Sequence, residues 1–163
     1  IQASQTAEEA TAALYGGVRD TTAKCAVVHV ASTCKHGGRI DARAAFGLYW
    51  GHGSRHNVGW RIAGLQTDGR AILTGVLCAL TVTQSMQRIT ICTTSKYAIR
   101  ALCYRVGKEY VEGWNCTNAD LLQAIVTVIQ QRTEQVRFCW VDKPTENQAH
   151  LGARTLAQEA ATR

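Results

Sequence analysis

A chain of 163 residues with 46% hydrophobic and 18% charged residues is long enough for one domain with a core, and too apolar for a disordered or coiled-coil chain. A single Pro excludes a Pro-rich linker, and no apolar run approaches the ~18 residues of a helical membrane span, so no membrane partner is expected. The net charge of +6 favours an anionic partner, nucleic acid first, against the plainer reading of a soluble basic surface.

Residues 1–23 read as an N-terminal appendage, with Thr6 to Tyr15 forming a short helix that Gly16-Gly17 ends; residues 24–163 read as one domain. Cys25–Val30 is an apolar run of strand length, followed by a polar turn from Lys35 through His36 to Arg39. Ala44–Trp50 and Asn57–Ala63 read as two further strands joined by Gly51-His52-Gly53-Ser54. A long helix is expected over Gly69–Gln87, where Ile72, Val76, Ala79, Leu80 and Thr83 recur at steps of three and four, and Gly75 within it marks close packing. Arg88–Cys92 is a fourth strand, and Ser95 to Val106 a second helix. Asn118 is a cap for a third helix carrying Leu121, Leu122, Ile125 and Ile129 on one face. Gln135–Val141 is a fifth strand and Gly152 to Thr162 a closing helix, with a loop near 107–118 outside the regular plan. Three hairpin-linked strands followed by βα units predict an α/β fold, a mixed sheet with helices over its faces.

Seven cysteines, an odd number without a CxxC, read as reduced and mostly buried thiols of an intracellular compartment, in the nucleus, the cytoplasm or a mitochondrion. Neither a metal site nor a cofactor is expected from them. His52 and His56 sit four apart in a Gly-rich turn without a Cys or carboxylate at ligand spacing. His29 alternates with apolar strand residues and reads as a hydrogen-bonded sheet histidine.

Several strings resemble ribonuclease H of the cellular, eukaryotic type over roughly residues 25–160. They are Ala42-Arg43-Ala44-Ala45-Phe46-Gly47-Leu48-Tyr49-Trp50-Gly51, Asn57-Val58-Gly59, Gln66-Thr67-Asp68-Gly69-Arg70-Ala71, Thr93-Thr94-Ser95, and Trp140-Val141 followed by Leu156-Ala157. The resemblance implies a ribonuclease H-like fold: a five-stranded mixed sheet, three strands antiparallel and two parallel, with helices on both faces. It also implies four acidic residues around two Mg²⁺ ions and a His on a flexible loop. Carried onto this chain, the acidic positions fall on Ala31, Ile72, Thr94 and Arg154, and the loop His falls on Pro144. Two-metal hydrolysis of a phosphodiester needs hard oxygen ligands, which these side chains cannot supply. Arg154 reads either as a guanidinium replacing metal charge or as a solvated helix residue; Ala31 and Ile72 read as local packing or as a greasy surface recruited by a partner.

Nucleic-acid binding can outlast catalysis, because affinity comes mainly from Lys and Arg on phosphates. The candidates are Lys35, Arg39 and Arg43 in and after the first loop, and Gln66, Thr67 and Arg70 before the long helix. Lys108 and Trp114 join them from a stretch resembling the family's basic handle, where Glu109 and Glu112 nearly cancel the charge. Asp68, where the family carries Asn, would repel phosphate. The expected function is therefore a non-catalytic module. The first reading is a protein-interaction scaffold, docking a protein partner or a second copy of itself. The second is a binder of RNA or RNA/DNA hybrid. The third is a hydrolase with relocated acids, for which Asp68, Asp142 and Glu146 are the nearest carboxylates.

Overall fold

The computed structural model describes residues 25–83 and 85–163. The appendage expected over residues 1–23 lies outside them. Strands β1 (Cys25–Lys35), β2 (Arg43–Tyr49), β3 (Val58–Arg61), β4 (Arg88–Thr93) and β5 (Val136–Trp140) form a mixed sheet in the order β3-β2-β1-β4-β5. β2 is antiparallel to β1 and β3, whereas β4 runs parallel to β1 and β5. Helices α1 (Asp68–Val82) and α4 (Ala119–Gln131) pack together on one face, and α5 (Gln148–Ala161) covers the other. This is the mixed α/β architecture expected from the sequence.

Alternation along the strands divides the two faces. Val28 and Val30 of β1 and Phe46 and Leu48 of β2 meet Ile72, Leu73, Val76 and Leu80 of α1, and Ile125 of α4 extends the same core. Gly75 sits where α1 crosses the sheet: a Cβ there would lie 2.8 Å from Val30 Cγ1. The opposite face is built from small residues. A Cβ on Gly47 would lie 2.1 Å from the Ala153 carbonyl oxygen, and one on Gly59 would lie 2.2 Å from that of Leu156. The backbone of α5 therefore rests directly on the backbone of β2 and β3.

Element ends differ from the sequence reading for identifiable reasons. β1 continues five residues beyond Val30, because Ser32 to Lys35 pair with Phe46 to Arg43 although they are no longer an apolar run. α1 stops at Val82 rather than Gln87. The Arg132 guanidinium donates to the carbonyls of Leu80 and Thr83 at 3.3 Å each, and also to that of Gln87, closing the helix end. The second helix runs on to Val111 as α2 (Lys96–Ile99), a π-helical turn (Arg100–Arg105) and α3 (Val106–Val111), so the following loop is shorter than expected. Ser95 caps it, accepting from the Ala98 amide at 3.1 Å. Asn118 precedes α4 in a left-handed conformation but makes no cap; its side chain donates to Tyr97 Oη at 2.8 Å instead. α5 begins at Gln148, four residues early, because Asn147 caps it by accepting from the His150 amide. All seven cysteines are free, but only Cys92 is buried; Cys25 and Cys139 lie exposed on the part of the sheet that α5 leaves open.

Candidate functional site

The carboxyl ends of the parallel strands β1 and β4 open beside the first turns of α5, the usual place for a ligand crevice in such sheets. Thr94 follows β4 directly, and its Oγ1 lies 3.4 Å from Nε2 of His150 in the first turn of α5. The His150 ring lies 6.1 Å from that of His29 on β1. Arg154, one turn further along α5, is exposed to solvent, and its charge helps to hold the His150 imidazole neutral. Burial is the larger cause; with the charge near His29 and Arg154 it takes the His150 pKa down to about 4. Burial also lowers that of His29.

Neither imidazole is fully satisfied: Nδ1 of His29 and Nδ1 of His150 are buried without a hydrogen-bond partner among the described residues. This corrects the expectation that His29 is a hydrogen-bonded sheet histidine. His150 escaped the sequence reading altogether. Its only signal is its three-residue spacing from Asn147, a helix cap followed by a buried position.

Ala31 lies on β1 at 4% exposure and Ile72 is enclosed in the core at 1%. Both are packed too deeply to form an apolar docking surface, which removes the recruited-surface reading. Pro144 opens a short 3₁₀ turn (Pro144–Glu146) before α5. The four positions marked by the resemblance carry a methyl group, a buried butyl chain, a hydroxyl and a guanidinium, and the His150 imidazole lies beside Thr94. That donor set does not fit a pair of hard divalent cations. Asp68, at the start of α1, accepts from Ser32 Oγ at 2.9 Å. Asp142 and Glu146 line an open cavity of about 460 Å³ with His29, Cys92, Cys139 and Trp140.

The nucleic-acid candidates are placed as follows. Gln66, Thr67 and Arg70 come together before and within the first turn of α1, but all three are engaged inside the fold. Gln66 Oε1 accepts from the Ala44 amide at 2.8 Å, and its Nε2 donates to the carbonyls of Ile62 and Gly64. Thr67 caps α1 by accepting from the Arg70 amide. The Arg70 guanidinium forks onto Asp120 at 3.0 and 2.8 Å and reaches Asn118 at 3.2 Å. That bond holds the Asp120 carboxyl down at about 2 and raises the pKa of Arg70.

Arg39 pairs with Asp41 in the exposed turn, and Arg43 donates to the Arg163 carbonyl at 3.4 Å. Lys35 ends β1. Trp114 is half-buried: it packs against Val106 and Val126 and against the main core, and meets the Tyr110 ring edge-on at 6.3 Å. Lys108 stands exposed on α3.

No family model matches the chain. Ribonuclease H1 of Rattus norvegicus is 34% identical over 90 residues, which make up 54% of this chain and 30% of the rat protein. The chain therefore spans well under half the length of that relative. Among solved structures, LC9-RNase H1, a type 1 RNase H with the type 2 active-site motif, superposes with a TM-score of 0.68 at 20% identity. That match covers 88% of this chain and 75% of the other. The foamy viral protease-reverse transcriptase, solved in complex with dsDNA, superposes with a TM-score of 0.69 at 14% identity, over 83% of this chain and 93% of the other. The chain is a ribonuclease H-like relative, and its fold is that of the ribonuclease H domain.

Proposed function

We propose that this chain is a non-catalytic ribonuclease H-like module that binds nucleic acid without cutting it. One observation supports the reading: Thr94 and His150 meet at the carboxyl end of β4 beside the Arg154 charge, and Ala31 and Ile72, which the resemblance marks as acidic positions, are buried apolar side chains. A phosphodiester entering this cleft would meet the Arg154 charge, with Asp142 and Glu146 as the nearby carboxylates, two where a two-metal site needs several converging acids. The basic balance of the chain and its relatedness to ribonuclease H1 support a nucleic-acid partner. The test is a cleavage assay on RNA/DNA hybrid with Mg²⁺ or Mn²⁺, run beside a mobility-shift assay on the same substrate. A shift with intact substrate supports the proposal. Cutting that disappears in Asp68→Asn would overturn it in favour of relocated acids.

A second reading, the protein-interaction scaffold, is favoured by the uncovered part of the sheet. α5 packs over β3, β2 and β1, while Val27 on β1 stays 48% exposed and Cys139 on β5 faces solvent. Exposed apolar strand surface of this kind suits a protein partner, and a second copy of the chain is one form of it. Sedimentation over a range of concentrations tests self-association directly.

A further inference from the structure

Two of the free cysteines face each other across the parallel strands β4 and β5. Cys92 and Cys139 are register partners, so their side chains leave the sheet on the same face. Neighbouring strands lie about 4.8 Å apart, inside the span of roughly 4.4 to 6.8 Å between Cα atoms that a disulfide bridges. The two thiols are hydrogen-bonded to each other, and both line the open cavity beside Asp142 and Glu146. Among the described residues the strand register sets no other pair of cysteines opposite each other: Cys25 faces Arg88, and Cys34 faces Ala44. Cys25 Sγ lies 3.4 Å from Thr90 Oγ1, Cys34 Sγ donates to the Gln66 carbonyl at 3.6 Å, and Cys116 is hydrogen-bonded to Glu109.

The two thiols differ in access. Cys139 stands exposed on the edge strand β5, on the part of the sheet that α5 leaves open. Cys92 is 7% exposed; burial, with Cys139 and Cys25 nearby, pushes its thiol up to about 11. A reagent from solvent therefore reaches Cys139 first, and Cys92 stays protonated until a disulfide sulfur is held against it.

We propose that Cys92 and Cys139 form a redox-active dithiol that closes to a disulfide by exchange with a low-molecular-weight disulfide of the glutathione class. Cys139 loses its proton to water, and its Sγ attacks one sulfur of the small disulfide. That S–S bond breaks, a mixed disulfide forms on Cys139, and the first small thiol leaves and takes up a proton. Cys92 Sγ then attacks Cys139 Sγ. The mixed S–S bond breaks, and the second small thiol leaves with the proton that Cys92 gives up. The chain has lost two electrons and two protons, and the small disulfide has gained them as two thiols. The new bond ties the edge strand to β4 two residues before Val141, whose amide donates to the Thr93 carbonyl at 3.0 Å. Because Cys139 faces solvent, the bond is open to reduction and the step is reversible. The site uses neither the Thr94–His150 cleft nor the basic charge, so it stands whether or not the chain binds nucleic acid.

The experiment equilibrates the full chain in glutathione buffers of rising oxidised fraction, quenches with acid, and reads the thiol count and the linked peptides by mass spectrometry. Cys139→Ser, Cys92→Ser and the control Cys25→Ser run beside it. The parent should lose two of its seven thiols together, linking Cys92 to Cys139, and dithiothreitol should restore them. Cys25→Ser should behave like the parent, Cys92→Ser should stop at one glutathione on Cys139, and Cys139→Ser should form no internal bond. Cys139 is exposed, so its variant keeps the fold and the test stands even if Cys92→Ser does not fold. A parent that keeps every thiol in the most oxidised buffer would overturn the proposal. So would a parent that accumulates glutathione on Cys139 without closing the bond, or an internal bond that survives in Cys139→Ser.

Discussion

His150 is the residue on which the cleft turns. It is enclosed completely, yet its ring offers Nε2 only to a hydroxyl and Nδ1 to nothing among the described residues. A neutral imidazole tolerates this position; an imidazolium beside Arg154 does not. Its pKa of about 4 in the fold, against 6.5 in an unfolded chain, gives the pH dependence. The stabilisation is fully present above pH 6.5 and is lost as the pH falls toward 4, because the unfolded chain then binds a proton that the folded chain refuses. The size is of the order of 3 kcal/mol. His29, lowered by burial, acts in the same direction. Urea unfolding at pH 7.5 and at pH 4.5 should show the loss, above the range in which the Asp120 carboxyl titrates. A His150→Gln variant should flatten it, and an unchanged slope in that variant would refute the assignment.

Two contacts between elements set the height of the layers. On one face, Arg70 ties the start of α1 to the start of α4 through Asp120 and Asn118. Arg70→Ala should cost about 1 kcal/mol in denaturant unfolding, because the forked pair is lost but the exposed Asp120 carboxylate is taken up by water. On the other face, α5 sits on Gly47. Gly47→Ala drives a Cβ into the Ala153 backbone and should cost about 3 kcal/mol, whereas Gly152→Ala meets only the Tyr49 ring, which can turn aside, and should cost less. Equal melting temperatures for the two variants would contradict this.

The element order was legible in the sequence because apolar runs and helical spacing record burial. The partnerships at element ends were not. Gln66 and Arg70 look like a phosphate-binding helix start, yet they are held by residues 22 and 50 positions away, which local spacing cannot reveal. His29 and His150 meet only once α5 lies on the sheet. That positions 31, 72, 94 and 154 carry no carboxylate is read from residue type alone.

At the scale of the whole molecule, the proposed loss of a metal pair can be tested by putting carboxylates back. Ala31→Asp, Ile72→Glu, Thr94→Asp and Arg154→Asp together add four carboxylates and remove one cation, changing the net charge by about −5. If these positions converge as the fold places them, the carboxylates repel one another and one is forced into the Ile72 core site. The quadruple variant should therefore be markedly less stable than the parent without metal. Mg²⁺ should restore much of that loss, because an ion that binds only the folded state stabilises it by mass action. The measurement is the melting temperature with and without millimolar Mg²⁺, beside calorimetry of Mg²⁺ binding. The parent should show neither a melting shift nor heat of binding, and the variant should show both. A folded variant indifferent to Mg²⁺ would mean that the four positions do not share a site, and the chemical reading of the cleft would fall with it.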